Sequence, residues 1–185
     1  GVAIENCTFY NNDIAIEPRS NLKSIISNSV FKANNYGLFT YGEDQSTGDN
    51  VACIQNLLIT DNDFSQNSTP ISIGMNQRAV KNFKVTRNKF FKNTNTAVSI
   101  GGGGYGPYVS TGVEISYNNF IENNNAISVQ VYNLGDNGCG GNSMGGCNTC
   151  NLLIQNNLFY KDVNAVNLNG IGFAFVQNNL FNSNL

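Results

Sequence analysis

The chain contains no histidine, no tryptophan and only three prolines, and charged residues make up just 12% of it. Without an imidazole there is no His-dependent metal site and no Ser-His-Asp triad. A formal net charge of −2, with no block of like charge, argues against a nucleic-acid partner, which needs a clustered Lys/Arg footprint. No stretch approaches the roughly 18 consecutive apolar residues of a membrane span, and the N-terminal region lacks a basic segment followed by an apolar one. Neither membrane insertion nor a signal peptide is therefore expected within these residues. Leucine is also scarce, at 11 residues.

Asparagine is abundant instead, at 35 of 185 residues. Such a bias suggests disorder only where aliphatic and aromatic residues are few, and here 41% of the chain is hydrophobic and periodic. A local phrase close to Ile-x-x-Asn-x-Phe-x-x-Asn recurs seven times, anchored on Phe9, Phe31, Phe64, Phe90, Phe120, Phe159 and Phe181. Five positions before each anchor stands Ile4, Ile26, Ile59, Val85, Ile115, Ile154 or Val176. Two positions before it are Cys7, Ser29, Asn62, Asn88, Asn118, Asn157 and Asn179; three positions after it are Asn12, Asn34, Asn67, Asn93, Asn123, Asp162 and Asn184.

The unit from Val113 to Val129 alternates apolar and polar residues, breaks at Asn118 and again at Asn123 to Asn125, and resumes at Ile127 and Val129. Period two in pieces of three or four residues between turn-formers predicts three short strands per repeat. One repeat cannot bury its own apolar face, but stacked copies enclose a continuous core. Asparagine at a fixed corner can donate to one neighbouring coil and accept from the other, and it tolerates the left-handed backbone of a tight corner.

These repeats, from Val2 to Phe181, resemble the right-handed parallel β-helix of the pectin-lyase-like group, with carbohydrate-binding and sugar-hydrolase type repeats. The resemblance implies an all-β, single-stranded right-handed parallel β-helix of about seven coils, forming one domain over 1–185. It leaves activity open, because that group holds lyases, hydrolases, epimerases, phage tailspikes and non-catalytic surface proteins. A leucine-rich repeat is the competing architecture, since Phe83-x-Val85-x-x-Asn88-x-Phe90 fits its spacing. Scarce leucine, strand-like second halves and repeat lengths of 22 to 39 residues count against it.

Alignment of the repeats places opposite charges on adjacent coils: Lys84 with Glu114, Asp61 with Arg87, Asp63 with Lys89, and Lys92, Glu122 and Lys161 in alternation. Such pairs read as solvated ladders worth a few tenths of a kcal/mol each. Long insertions all fall between the last strand of one repeat and the first of the next. They carry Tyr41, Glu43, Asp44, Asp49, Arg78, Tyr105, Tyr108, Tyr132 and Asp136, a mixture of rings and polar groups suited to sugar faces and hydroxyls. The alternative is that the tyrosines pin Gly-rich loops. Among five cysteines, Cys139, Cys147 and Cys150 share one insertion and allow a single disulfide there, whereas Cys7 and Cys53 fall on separate coils. Asn6-Cys7-Thr8 and Asn67-Ser68-Thr69 match the glycosylation acceptor pattern.

No cap helix is visible at either terminus, so the chain reads as a segment of a longer solenoid or as a unit stacking end to end on its own copies. The favoured function is a non-catalytic, extracellular, cell-surface or virion-surface β-helix with a structural or glycan-contacting role and no catalytic residues, metal or cofactor. The second reading is a polysaccharide lyase or glycoside hydrolase at the loop flank, with Glu43, Asp44, Asp49 and Asp136 as its acids. By resemblance, Ca2+ would accompany the lyase version.

Overall fold

The computed structural model describes residues 1–18, 22–40, 54–74, 80–102, 112–131, 152–169 and 174–184. Among these residues there is no helix, and every strand lies parallel to its neighbours in one of three sheets. The first sheet stacks Ala3–Glu5, Leu22–Ser27, Ile54–Thr60, Lys84–Thr86, Val113–Ser116, Leu152–Gln155 and Ala174–Gln177, with Val80–Lys81 also paired to Ile54–Thr60. The second stacks Thr8–Tyr10, Val30–Lys32, Asp63–Ser65, Lys89–Phe91, Asn119–Ile121, Leu158–Tyr160 and Leu180–Asn182. The third stacks Ile14–Ile16, Tyr36–Thr40, Thr69–Gly74, Thr96–Gly102, Asn125–Val131 and Asn164–Asn169. Stacking order follows chain order in all three, and the chain winds as a right-handed parallel β-helix.

Register explains why the anchors recur. Phe90 lies level with Phe64 below and Phe120 above, as Val85 does with Ile59 and Ile115. Inside the rod the rings from Phe31 to Phe159 stack with centroids 4.7, 5.0, 4.8 and 5.1 Å apart, close to the spacing of the strands that carry them. Ile59, Val85, Ile115 and Ile154 close the core on the first sheet, and Ile71, Val98 and Ile127 on the third. At one inner corner the residues are small: Ala97 and Ala126 are fully buried, and a Cβ added to Gly37 would lie 2.6 Å from the Pro70 carbonyl oxygen.

The two asparagine columns form as expected. In the first, Asn62, Asn88, Asn118 and Asn157 each donate their backbone N–H to Oδ1 of the next coil's asparagine at 2.9–3.0 Å. Their side-chain amides donate forward to the same oxygen and backward to Ile26, Ile59, Val85 and Ile115 carbonyls. The second column repeats this through Asn34, Asn67, Asn93 and Asn123, with the backward bonds going to Phe9, Phe31, Phe64 and Phe90. Polar groups that the corners would otherwise strand inside the rod are thereby paired.

Two expectations need correction. Asn56 and Asn82 adopt the left-handed backbone themselves at the entry to the first sheet, whereas at the two ladder corners the left-handed residue is not the ladder asparagine but the one before it. At the first corner these are Asn6, Asn28, Asp61, Arg87, Tyr117, Asn156 and Asn178; at the second, Asn11, Ala33, Gln66, Lys92, Glu122, Lys161 and Ser183. The ladder amide fixes the corner so firmly that residues as ill-suited to positive φ as Tyr117 and Ala33 adopt it. Strands are also longer than three or four residues: Ile54–Thr60, Thr96–Gly102 and Asn125–Val131 each run to seven, the first continuing through the left-handed Asn56. In the third sheet, pairing continues in register from Thr96 opposite Asn125 to Gly102 opposite Val131.

Candidate functional site

The nine residues nominated from the sequence, Tyr41, Glu43, Asp44, Asp49, Arg78, Tyr105, Tyr108, Tyr132 and Asp136, all lie outside the described residues, as do Cys53, Cys139, Cys147 and Cys150. What the fold does fix is where their segments join the rod. Segments 41–53, 75–79, 103–111 and 132–151 each follow a third-sheet strand and precede the next first-sheet strand. The departure strands are neighbours: Thr40 pairs with Ile73, Gly74 with Gly101, and Gly102 with Val131. All four insertions thus leave from one edge of one sheet.

On the opposite flank the charges are occupied by one another. Arg87 grips Asp61 through two hydrogen bonds of 2.8 Å, Nε to Oδ1 and Nη2 to Oδ2. That hydrogen bonding, against a smaller opposing effect of burial and with help from the Thr60 hydroxyl, holds the Asp61 carboxyl below its usual range. Lys84 meets Glu114 at 3.0 Å, and Lys89 meets Asp63 and Lys92 meets Glu122 at 3.4 Å each. Burial pushes the Glu114 carboxyl up, but hydrogen bonds from Lys84 and Ser116 outweigh it and leave the group below its ordinary value. The sequence alignment anticipated these four pairs. Lys161, aligned with Glu122, instead lies over the Tyr160 ring at 5.0 Å.

A pair of carboxylates facing each other across a sugar bond, as glycoside hydrolysis requires, is not what Asp61 and Asp63 make: each is turned to its own cation one coil away. Among the described residues no cluster of three or more His, Cys, Asp or Glu could hold a metal ion. Cys7 takes a ladder position in the first coil, where its N–H donates to Ser29 Oγ and its exposed thiol donates to the Glu5 carbonyl at 3.3 Å. Of the two glycosylation patterns, Asn67 is 0% exposed inside the ladder and closed to a glycan, while Asn6 stands exposed at a corner.

The chain matches no family model, no curated protein and no solved structure.

Both ladders run one way, each coil donating to the oxygen of the next. At the first coil Asn12 therefore presents a side-chain oxygen, and at the last described coil Asn184 presents a backbone N–H. Phe181 stacks on Phe159 at 4.9 Å with its other face turned out, 50% exposed, beside Val176 and Leu180. At the other end a recess of about 370 Å3, lined by Val2, Ile4, Ile16, Ile26 and Leu57, opens onto the lower mouth of the core. In the second ladder one end thus offers a donor beside a protruding ring, the other an acceptor beside an apolar hollow.

Proposed function

We propose that this chain is a non-catalytic structural β-helix of the pectin-lyase-like kind, placed outside the cell or on a particle surface. Its end faces stack on further coils of the same design, and its loop-bearing edge contacts glycan. The observation carrying this reading is the matched polarity of the ends: the Asn184 N–H on one face corresponds to the Asn12 oxygen on the other, with the Phe181 ring above and the Phe9 column below. A head-to-tail contact of that sort extends the second ladder and the first and second sheets, and heterologous contacts of this type generate filaments. Further coils of the same polypeptide would satisfy the faces in the same way.

The non-catalytic part draws on the ion pairs, since the four carboxylates so held are ligands of neighbouring cations and not a facing acid and base. Sedimentation over a wide concentration range, with electron micrographs of the same samples, tests the stacking: rods should lengthen with concentration. A single species independent of concentration refutes self-stacking. A reducing-sugar and unsaturated-product assay over acidic polysaccharides, with and without calcium, tests the absence of catalysis. Sustained turnover would replace the reading with a lyase or hydrolase.

A further inference from the structure

Six of the seven rungs in the second ladder are asparagine; the sixth is Asp162, which is 0% exposed. Its Oδ1 accepts from the Asn123 backbone N–H and from Asn123 Nδ2, both at 2.8 Å, and its own N–H donates to Asn184 Oδ1 at 3.0 Å. Up to this point it copies its neighbours. Its Oδ2, however, is buried and has no hydrogen-bond partner.

In the other rungs the atom at that place is an amide nitrogen. It donates backward to the carbonyl of the preceding coil's phenylalanine, at 2.9–3.2 Å in Asn67, Asn93, Asn123 and Asn184, and in Asn67, Asn93 and Asn123 also forward to the next ladder oxygen. By the repeat, the corresponding groups around Asp162 Oδ2 are the Phe120 carbonyl and Asn184 Oδ1, which are acceptors only. A carboxylate there would set an unpaired oxygen, bearing negative charge, against two lone-pair donors inside the rod. A carboxylic acid with its hydrogen on Oδ2 supplies the missing donor.

We infer that Asp162 is a neutral carboxylic acid in the folded protein and acts as a pH-sensitive latch holding the sixth coil to the coils on either side. Burial pushes this carboxyl above its usual range of ionisation, opposed by the hydrogen bonds its Oδ1 receives from Asn123. Among the described residues no cation pairs with it. The nearest charged groups on the packed corners are Glu122 on the fifth coil, engaged by Lys92, and Lys161 on the sixth, exposed over Tyr160; the seventh coil offers only Asn182, Ser183 and Asn184.

The sign follows from linkage. The folded state holds the proton more firmly than the unfolded chain, whose value is near 3.8, so the latch contributes fully below that pH. Its contribution declines as pH rises from there through the folded value, and is then lost. The latch opens toward the base, which is the reverse of the salt-bridged acids Asp61 and Glu114.

Two measurements on the whole chain test this. Carbon-13 NMR of aspartate-labelled protein should show one carboxyl, absent from D162N, that remains protonated well above the range of the others. Thermal melts of wild type and D162N, from about pH 4 to about pH 8, should diverge, the wild type losing roughly 3–5 °C relative to the variant per pH unit of titration. Subtracting the two curves removes Asp61 and Glu114, which both proteins share. A carboxyl at position 162 that titrates at or below the ordinary aspartate value, or a difference curve flat with pH, overturns the inference.

Discussion

Replacing Asn118 with alanine should be among the most damaging single truncations in the rod, although it removes no apolar surface. Asn118 is 0% exposed at the middle of the first ladder. Its Oδ1 accepts the Asn88 backbone N–H at 2.9 Å and the Asn88 amide at 3.1 Å, while its Nδ2 donates to the Val85 carbonyl at 2.9 Å and to Asn157 Oδ1 at 3.1 Å. Asn88 Nδ2 keeps the Ile59 and Thr86 carbonyls, and Asn157 Oδ1 keeps the Asn118 backbone N–H. One buried backbone group, the Asn88 N–H, therefore loses its partner outright, while the Val85 carbonyl loses one of two donors and keeps the strand N–H that parallel pairing brings it from Ser116. At about 1–3 kcal/mol for the orphaned N–H and about 1 kcal/mol for the bond lost at the carbonyl, the loss comes to roughly 2–4 kcal/mol. Equilibrium unfolding in urea measures it, with Asn119→Ala as the control: Asn119 follows in sequence but is exposed, and should change stability by less than about 0.5 kcal/mol. Asn179→Ala, at the half-covered end of the same column, should fall between them because water can replace its amide. If Asn118→Ala cost less than about 1 kcal/mol, or no more than Asn119→Ala, the columns would be ornaments of the fold and not supports of it.

Phe120→Ala should cost about 3–5 kcal/mol, since the ring is fully buried between Phe90 and Phe159, whereas Phe181→Ala should cost well under half of that with its ring half exposed; paired denaturation curves decide. The Asp61–Arg87 pair gives the opposite pH signature to Asp162: with the folded value of Asp61 below 3.8, its contribution is present above that pH and lost as pH falls through the folded value. Both partners are partly solvated, so a double-mutant cycle should find under about 1 kcal/mol at neutral pH, shrinking in acid and in salt.

How much of this could be read from the letters depends on whether a residue type recurs at a fixed offset. Phe64, Phe90 and Phe120 do, and so do Asn62, Asn88 and Asn118, which is why the core, the ladders and four of the five opposed charge pairs are legible from spacing, while Lys161 turns to Tyr160 and not to Glu122. The left-handed corner residues recur in position but not in type, from Asp61 to Arg87 to Tyr117, because the backbone there is dictated by the amide that follows and not by its own side chain. Asp162 was visible as an exception, yet its significance depends on burial and on a partnerless oxygen, neither of which spacing reveals. The glycan-contacting residues proposed on the insertions had no offset to lean on, being where the repeat pauses.

Apart from one extra residue between Asn93 and the third sheet, variation in repeat length is confined to one joint. From the first ladder rung to the second the count is always five, from Asn62 to Asn67 as from Asn157 to Asp162, while the stretch returning to the first sheet sets whether a coil takes 22 residues or 39. A scaffold with this division can accept grafted peptides at that joint with no interior bond renegotiated. New surface chemistry can therefore accumulate there, by mutation or by an engineer's hand, independently of the rod's stability.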